Sequence, residues 1–104
     1  MTTLYKNTRF WCPKPEECAA LRDHLFLELP WGHPLDPYRD TLTVEARAKD
    51  GDDVIVRTGD AARPIALVKM TFRGRPEIAP FLPETVFYAS EDDLRSTIAQ
   101  ARAS

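Results

Sequence analysis

Within nine residues, Trp31, His33, Asp36, Tyr38 and Arg39 bring together an indole, an imidazole, a carboxylate, a phenol and a guanidinium. In a pocket, His33, Asp36 and Tyr38 would be candidates for general acid–base work in a small enzyme or ligand-binding domain. That work needs titratable groups within hydrogen-bond reach of one reacting atom. On an open surface the same stretch reads as a binding site for another protein. Trp, Tyr and Arg are the usual anchors of protein–protein contacts, and loops on a rigid scaffold carry binding residues disproportionately often. A plainer reading competes with both: Trp31 and Tyr38 plug one end of the core, and His33 lies at the surface.

The remaining reactive side chains make weaker cases. His24 stands seven residues after Glu17 and four before Glu28. On a helix all three would share one face, where carboxylates flanking an imidazole suit a metal or a raised histidine pKa. The trio equally describes a solvated polar face, and a catalytic zinc site would need a further strong ligand. Cys12 and Cys18 are not spaced as Cys-x-x-Cys, and both read as small core hydrophobes. Asp50-x-Asp52 matches the opening of a calcium loop but lacks its closing glutamate. No catalytic residue is assigned, and no metal or cofactor is expected. Arg47, Arg57, Lys69, Arg73 and Arg75 would colour one sheet face positive. No aromatic residues interleave them for base stacking, so nucleic acid is not an expected partner.

These groups need elements to hold them. Residues 4–12 mix β-formers with polar residues and predict a first strand, with Phe10 and Trp11 facing opposite ways. Pro13 and Pro15, then Glu16 and Glu17, suit a helix start. Cys18, Leu21, Leu25 and Leu29 then recur at helical spacing, which predicts a helix over 15–28 ended by Pro30 and Gly32. Residues 30–38, with three prolines and a glycine, form a stiff loop. Leu42, Val44, Ala46 and Ala48 alternate with polar residues as a half-buried strand does. An Asp50-Gly51 turn leads to a second run over 54–58, and a Gly59-Asp60 turn to a third from Ile65 to Arg73. Residues 85–89 predict a further strand. Ser90, with acids after it, caps a last helix whose stripe is Leu94, Ile98 and Ala101. The expected fold is α+β: an antiparallel sheet in β-α-β-β-β-β-α order, with both helices packed on one apolar face. On that reading Ile55 and Leu67 sit on the other face, exposed to a partner.

A chain of 104 residues with 43% hydrophobic and 29% charged residues fits one folded domain, residues 1–104. A net charge of −2 implies no particular partner. The N-terminus lacks the apolar run of a signal peptide and no stretch is long enough to span a bilayer, so a cytoplasmic address without membrane association is expected. Residues 66–94, ALVKMTFRGRPEIAPFLPETVFYASEDDL, resemble small uncharacterised bacterial proteins. Those share an apolar strand, Gly-x-Pro-Glu, a proline-spaced segment, an aromatic strand and Ser-x-x-Asp. Proteins of this style occur among the immunity proteins of bacterial toxin systems, so the resemblance implies a toxin as partner. The expected function is therefore a non-catalytic protein-binding module of the immunity type.

Overall fold

In the computed structural model of the chain, residues 5, 8, 10–29, 32–49, 51–70 and 84–103 are described, the side chains of 99–103 excepted. The first helix, α1, runs Pro15–Glu28 as its punctuation predicts. Pro15 opens it without wasting a hydrogen bond, and Glu16 and Glu17 meet the positive end of the helix dipole. Leu29 is already extended, with φ −71° and ψ 116°. This is the conformation that the following Pro30 ring imposes on its predecessor. The second helix, α2, spans Glu91–Ala103. The Ser90 hydroxyl accepts the Asp93 N–H at 3.2 Å, so the capping residue read from the sequence does cap.

Five antiparallel strands form one sheet: β1 Phe10–Trp11, β2 Thr43–Ala48, β3 Asp53–Arg57, β4 Ile65–Lys69 and β5 Glu84–Tyr88. They lie side by side in chain order, which the short turns require for β2, β3 and β4. The α+β class and the element order are those expected. Phe10 is buried and Trp11 is 40% exposed, so the pleat does separate these neighbours. The third meander strand is shorter than expected, ending at Lys69; residues 71–73 lie outside the described part.

The placement of the helices differs from expectation. Leu21 and Leu25 of α1 pack with Val44, Val54, Val56, Ala66 and Val68. Leu94 and Ile98 of α2 pack with Phe10, Ala46, Ala48, Ile55 and Ile65. Adjacent residues of one strand point to opposite faces. Val56 and Ile55 therefore lie under different helices, and the sheet is sandwiched between α1 and α2. Ile55 is fully buried and Leu67 packs against the α2 cluster, so neither awaits a partner.

A bulge in β2 explains why its alternation misleads. Val44 pairs with Val56, but Ala46 pairs with Ile55, which leaves Glu45 as the extra residue. The extra residue resets the pleat. Leu42 and Val44 turn towards α1, whereas Ala46 and Ala48 turn towards α2. A signal for the second buried face is present in the sequence. Val54-Ile55-Val56 and Ile65-Ala66-Leu67-Val68 are unbroken apolar runs, the mark of strands covered on both sides.

Candidate functional site

Between α1 and β2 the chain makes a compact loop, and its polar side chains are spent on holding it. Gly32 takes φ +87°, a left-handed conformation that turns the chain after α1. Leu35 is fully buried, and Asp36–Tyr38 form a single 3-10 turn. His33, expected at the surface, is 1% exposed, and its Nδ1 accepts the Leu35 N–H at 3.0 Å. The ring closes the turn from inside, with no proton on that nitrogen.

The other members of the candidate group each have separate partners. Arg39 donates its Nε–H to the Asp36 carboxylate at 2.5 Å and a second N–H to the Leu29 carbonyl at 3.3 Å. The Arg39 hydrogen bond holds the Asp36 carboxyl below its ordinary pKa. The Tyr38 hydroxyl donates to Asp60 at 2.7 Å, across to the β3–β4 turn. Its ring meets Phe87 edge-on at 6.2 Å. That same phenol, followed by the Ala62 N–H, depresses the pKa of Asp60. His33, Asp36 and Tyr38 thus each face a different group rather than one shared atom. Trp31 lies outside the described residues. The core-plug reading holds for Tyr38, whereas His33 is an interior turn residue and not a surface one.

Two arginines that bind the loop to α1 carry more of the architecture than their types suggested. Arg22, a charged residue of α1, donates to the Leu42 carbonyl at 2.7 Å and the Arg39 carbonyl at 3.0 Å. The guanidinium carbons of Arg22 and Arg39 stand 4.5 and 5.6 Å from the centre of the Phe26 ring. Such cation–π contacts each contribute about 0.5–1 kcal/mol when partly exposed. No spacing rule in the sequence links Arg22 to residues 39 and 42, because the link exists only once α1 lies against β2.

The His24–Glu17–Glu28 trio splits. His24 Nε2 lies 3.1 Å from Glu28, whose side chain is completely buried, so this is not a solvated face. Glu17 instead receives Arg47 of β2 at 3.2 Å. Among the described residues no group of three or more His, Cys, Asp or Glu side chains is placed to hold a metal ion; Asp50 lies outside them. The basic residues expected on one sheet face also separate. Arg47 reaches α1, whereas Arg57 lies on the α2 side, bonded to Glu45 at 2.9 and 3.1 Å and to Glu91 at 2.5 Å. Tyr5 adds its hydroxyl to the same Glu45 carboxylate. Lys69 lies between Asp53 and Glu84 in the sheet register. Arg73 and Arg75 fall outside the described residues.

Among the described residues, a groove open to a ligand lies at the β1–α1 corner. Trp11 pairs with Arg47, which bonds to α1, so the indole is on the α1 side of the sheet. Two residues later a groove of about 380 Å3 opens between Pro13, Pro15, Cys18, Ala19, Arg22 and Val44. Its walls are mainly apolar, and the two prolines stiffen one of them. The Cys18 thiol, on the groove wall, donates weakly to the Pro13 carbonyl at 3.7 Å. Cys18 is half-buried and packs against the α1 core cluster as expected, whereas Cys12, also expected in the core, is exposed. Burial pushes both thiols above their ordinary pKa, which keeps them poor nucleophiles. No described helix is long and apolar enough to cross a membrane. No protein-family model, curated protein or solved structure matches the chain.

Proposed function

We propose that the chain is a non-catalytic protein-binding module whose contact face is the β1–α1 corner. The observation that carries this reading is Trp11, 40% exposed on an edge strand beside a stiff apolar groove. A tryptophan left in water forgoes a large burial gain, and tryptophans so placed are the commonest energetic anchors of protein contacts. The groove supplies a concave neighbour with few polar groups to desolvate. Arg22 on the groove wall, and Arg47 paired with Glu17 across the sheet from Trp11, add charge that suits orientation of a partner more than raw affinity. The loop bearing His33, Asp36, Tyr38 and Arg39 acts in this reading as a brace, holding α1 and β2 in register behind the contact face.

The resemblance of residues 66–94 to small bacterial proteins of the toxin-immunity type supports a toxin as the partner, blocked by occlusion of its surface. The test uses purified protein and the product of a toxin-like gene next to its own, with titration calorimetry. Binding is expected, and Trp11→Ala is expected to weaken it by about tenfold to a hundredfold, as loss of a central aromatic anchor does. Unchanged affinity in W11A, with loss instead on substituting Asp36 or Arg39, would move the contact face to the loop and refute this reading.

A further inference from the structure

The groove at the β1–α1 corner runs along the backbone edge of β2. Leu42 and Val44 turn towards α1, so Thr43 between them turns to the other face. A groove lined by both Thr43 and Val44 therefore follows the edge of the strand rather than one of its faces. That edge carries an unmet hydrogen-bonding pair. Just outside the two ends of β3, the Asp52 carbonyl takes the Met70 N–H and the Thr58 N–H goes to the Pro64 carbonyl, both on the β4 side. Alternate residues of a strand bond the same neighbour, so Val56 also bonds towards β4. Val44, opposite Val56, hence points its N–H and C=O away from β3. Leu42, two residues earlier, has the same direction. Its N–H goes to the Tyr38 carbonyl at 2.8 Å, and its carbonyl takes Arg22 at 2.7 Å. On that outer side β1 pairs only with Arg47 and Ala48. Pro13 and Pro15 then carry the chain off into α1 with no N–H to offer. Among the described residues nothing meets the Val44 pair, although Val44 is only 7% exposed.

We propose that the groove takes an extended segment of the partner protein, which adds to β2 as a short strand bonded to the Val44 N–H and C=O and brings an acidic side chain to Arg22. This rests on the β1–α1 corner being the contact face, and adds the form in which the partner's chain meets it. A residue of an extended chain offers one C=O and one N–H to the same side, the complement of the Val44 pair. Backbone groups shielded from water and left unpaired are costly, and such a residue removes the cost. A helix spends its backbone groups within itself and offers none. The charge follows from Arg22, the only charged residue in the groove lining. Its Nε and Nη2 are held by the Leu42 and Arg39 carbonyls, while Nη1 donates to no described residue. A guanidinium fixed by two bonds and lacking an acid favours a carboxylate. At about 380 Å3 the groove lies near the small end for binding sites, so the segment is short.

The probe is a phage-displayed library of random heptapeptides, selected on the full chain. The expected peptides alternate β-formers and carry an Asp or Glu. Removing that acid from a selected peptide, or the Val44 N–H from the chain by a semisynthetic amide-to-ester exchange, is expected to weaken binding about threefold to tenfold, the range of one net hydrogen bond. Ala19→Trp fills the groove from an exposed position of α1 and abolishes binding, with unfolding curves to show that the variant folds. By NMR, the Val44 N–H of the unaltered chain exchanges with solvent about tenfold more slowly once peptide is bound. A library that yields no binder, peptides that bind A19W as well as the parent, an unchanged Val44 exchange rate, or self-association of the chain that A19W removes each overturns the proposal. Any of these results, with Trp11→Ala still weakening the protein partner, removes the strand slot alone and leaves the contact face standing. Peptides bound at Val44 with the protein partner indifferent to W11A would instead remove the contact face.

Discussion

Gly59 and Gly32 have nearly the same backbone, φ +85° and +87°, but different surroundings, and that contrast gives a sharp test of the loop as a brace. An alanine at either site pays the left-handed penalty of roughly 1–2 kcal/mol, offset by about 0.4–1 kcal/mol of entropy lost from the unfolded chain. At Gly32 nothing lies within 4 Å of the added methyl, so Gly32→Ala is expected to cost about 1 kcal/mol or less. At Gly59 the methyl would lie 2.8 Å from the Thr41 Cβ and 2.9 Å from its Oγ1. Turning the Thr41 side chain cannot relieve this, because a Cβ is placed by its backbone. That backbone is held by the Thr41 N–H bond to the Tyr38 carbonyl at 3.0 Å, and the Thr41 hydroxyl donates to the Thr58 carbonyl. Overpacking of this kind adds about 1–3 kcal/mol, so Gly59→Ala is expected to cost about 2–4 kcal/mol in total. Urea unfolding of the two variants beside the parent measures both costs. A loss in G59A no larger than that in G32A would show that residues 41 and 59 are not locked together, and the brace would fall with them.

Alkaline and acid stability follow from two other sites. Burial, then the bond to Glu45, raises the Tyr5 pKa well above 10 in the folded chain. Its contribution is therefore intact below about pH 10 and lost as pH climbs, since the unfolded state ionises first. Tyr5→Phe should remove that alkaline limb from the stability profile, and absorbance at the tyrosinate band should show Tyr5 ionising only with unfolding. Asp36 and Asp60 have depressed pKa values, set first by the Arg39 and Tyr38 hydrogen bonds respectively. Both stabilise the fold above their ordinary range near pH 4 and cease to do so as pH falls. The double variant Asp36→Asn, Asp60→Asn should show a flatter acid limb in thermal melts; an unchanged limb would place the acid sensitivity elsewhere.

Local chemistry made much of this fold readable. Proline and acids at the start of α1, a proline after its end, and Ser90 before α2 act within a few residues of the bonds they control, so sequence alone located both helices. Short turns likewise required β2, β3 and β4 to be antiparallel neighbours, whereas the places of β1 and β5 at the two edges were decided by tertiary structure. Sequence alone also put Phe10 and Trp11 on opposite faces, since the pleat separates any adjacent pair, and packing decided that Phe10 is the buried one. Tertiary structure decided the rest. One bulge at Glu45 moved Ala46 and Ala48 to the opposite face from Val44, and alanines are too small to betray the switch by their pattern. α2 then had a second apolar face to cover, using Ile55 and Ile65. The loop residues from His33 to Arg39 have site-like types, yet which atoms they meet depends on Phe26, Asp60 and Phe87, brought near from three other elements. A side chain's type states what it can bond; only packing between distant segments decides which bonds are already made, and so which surface is left for a partner.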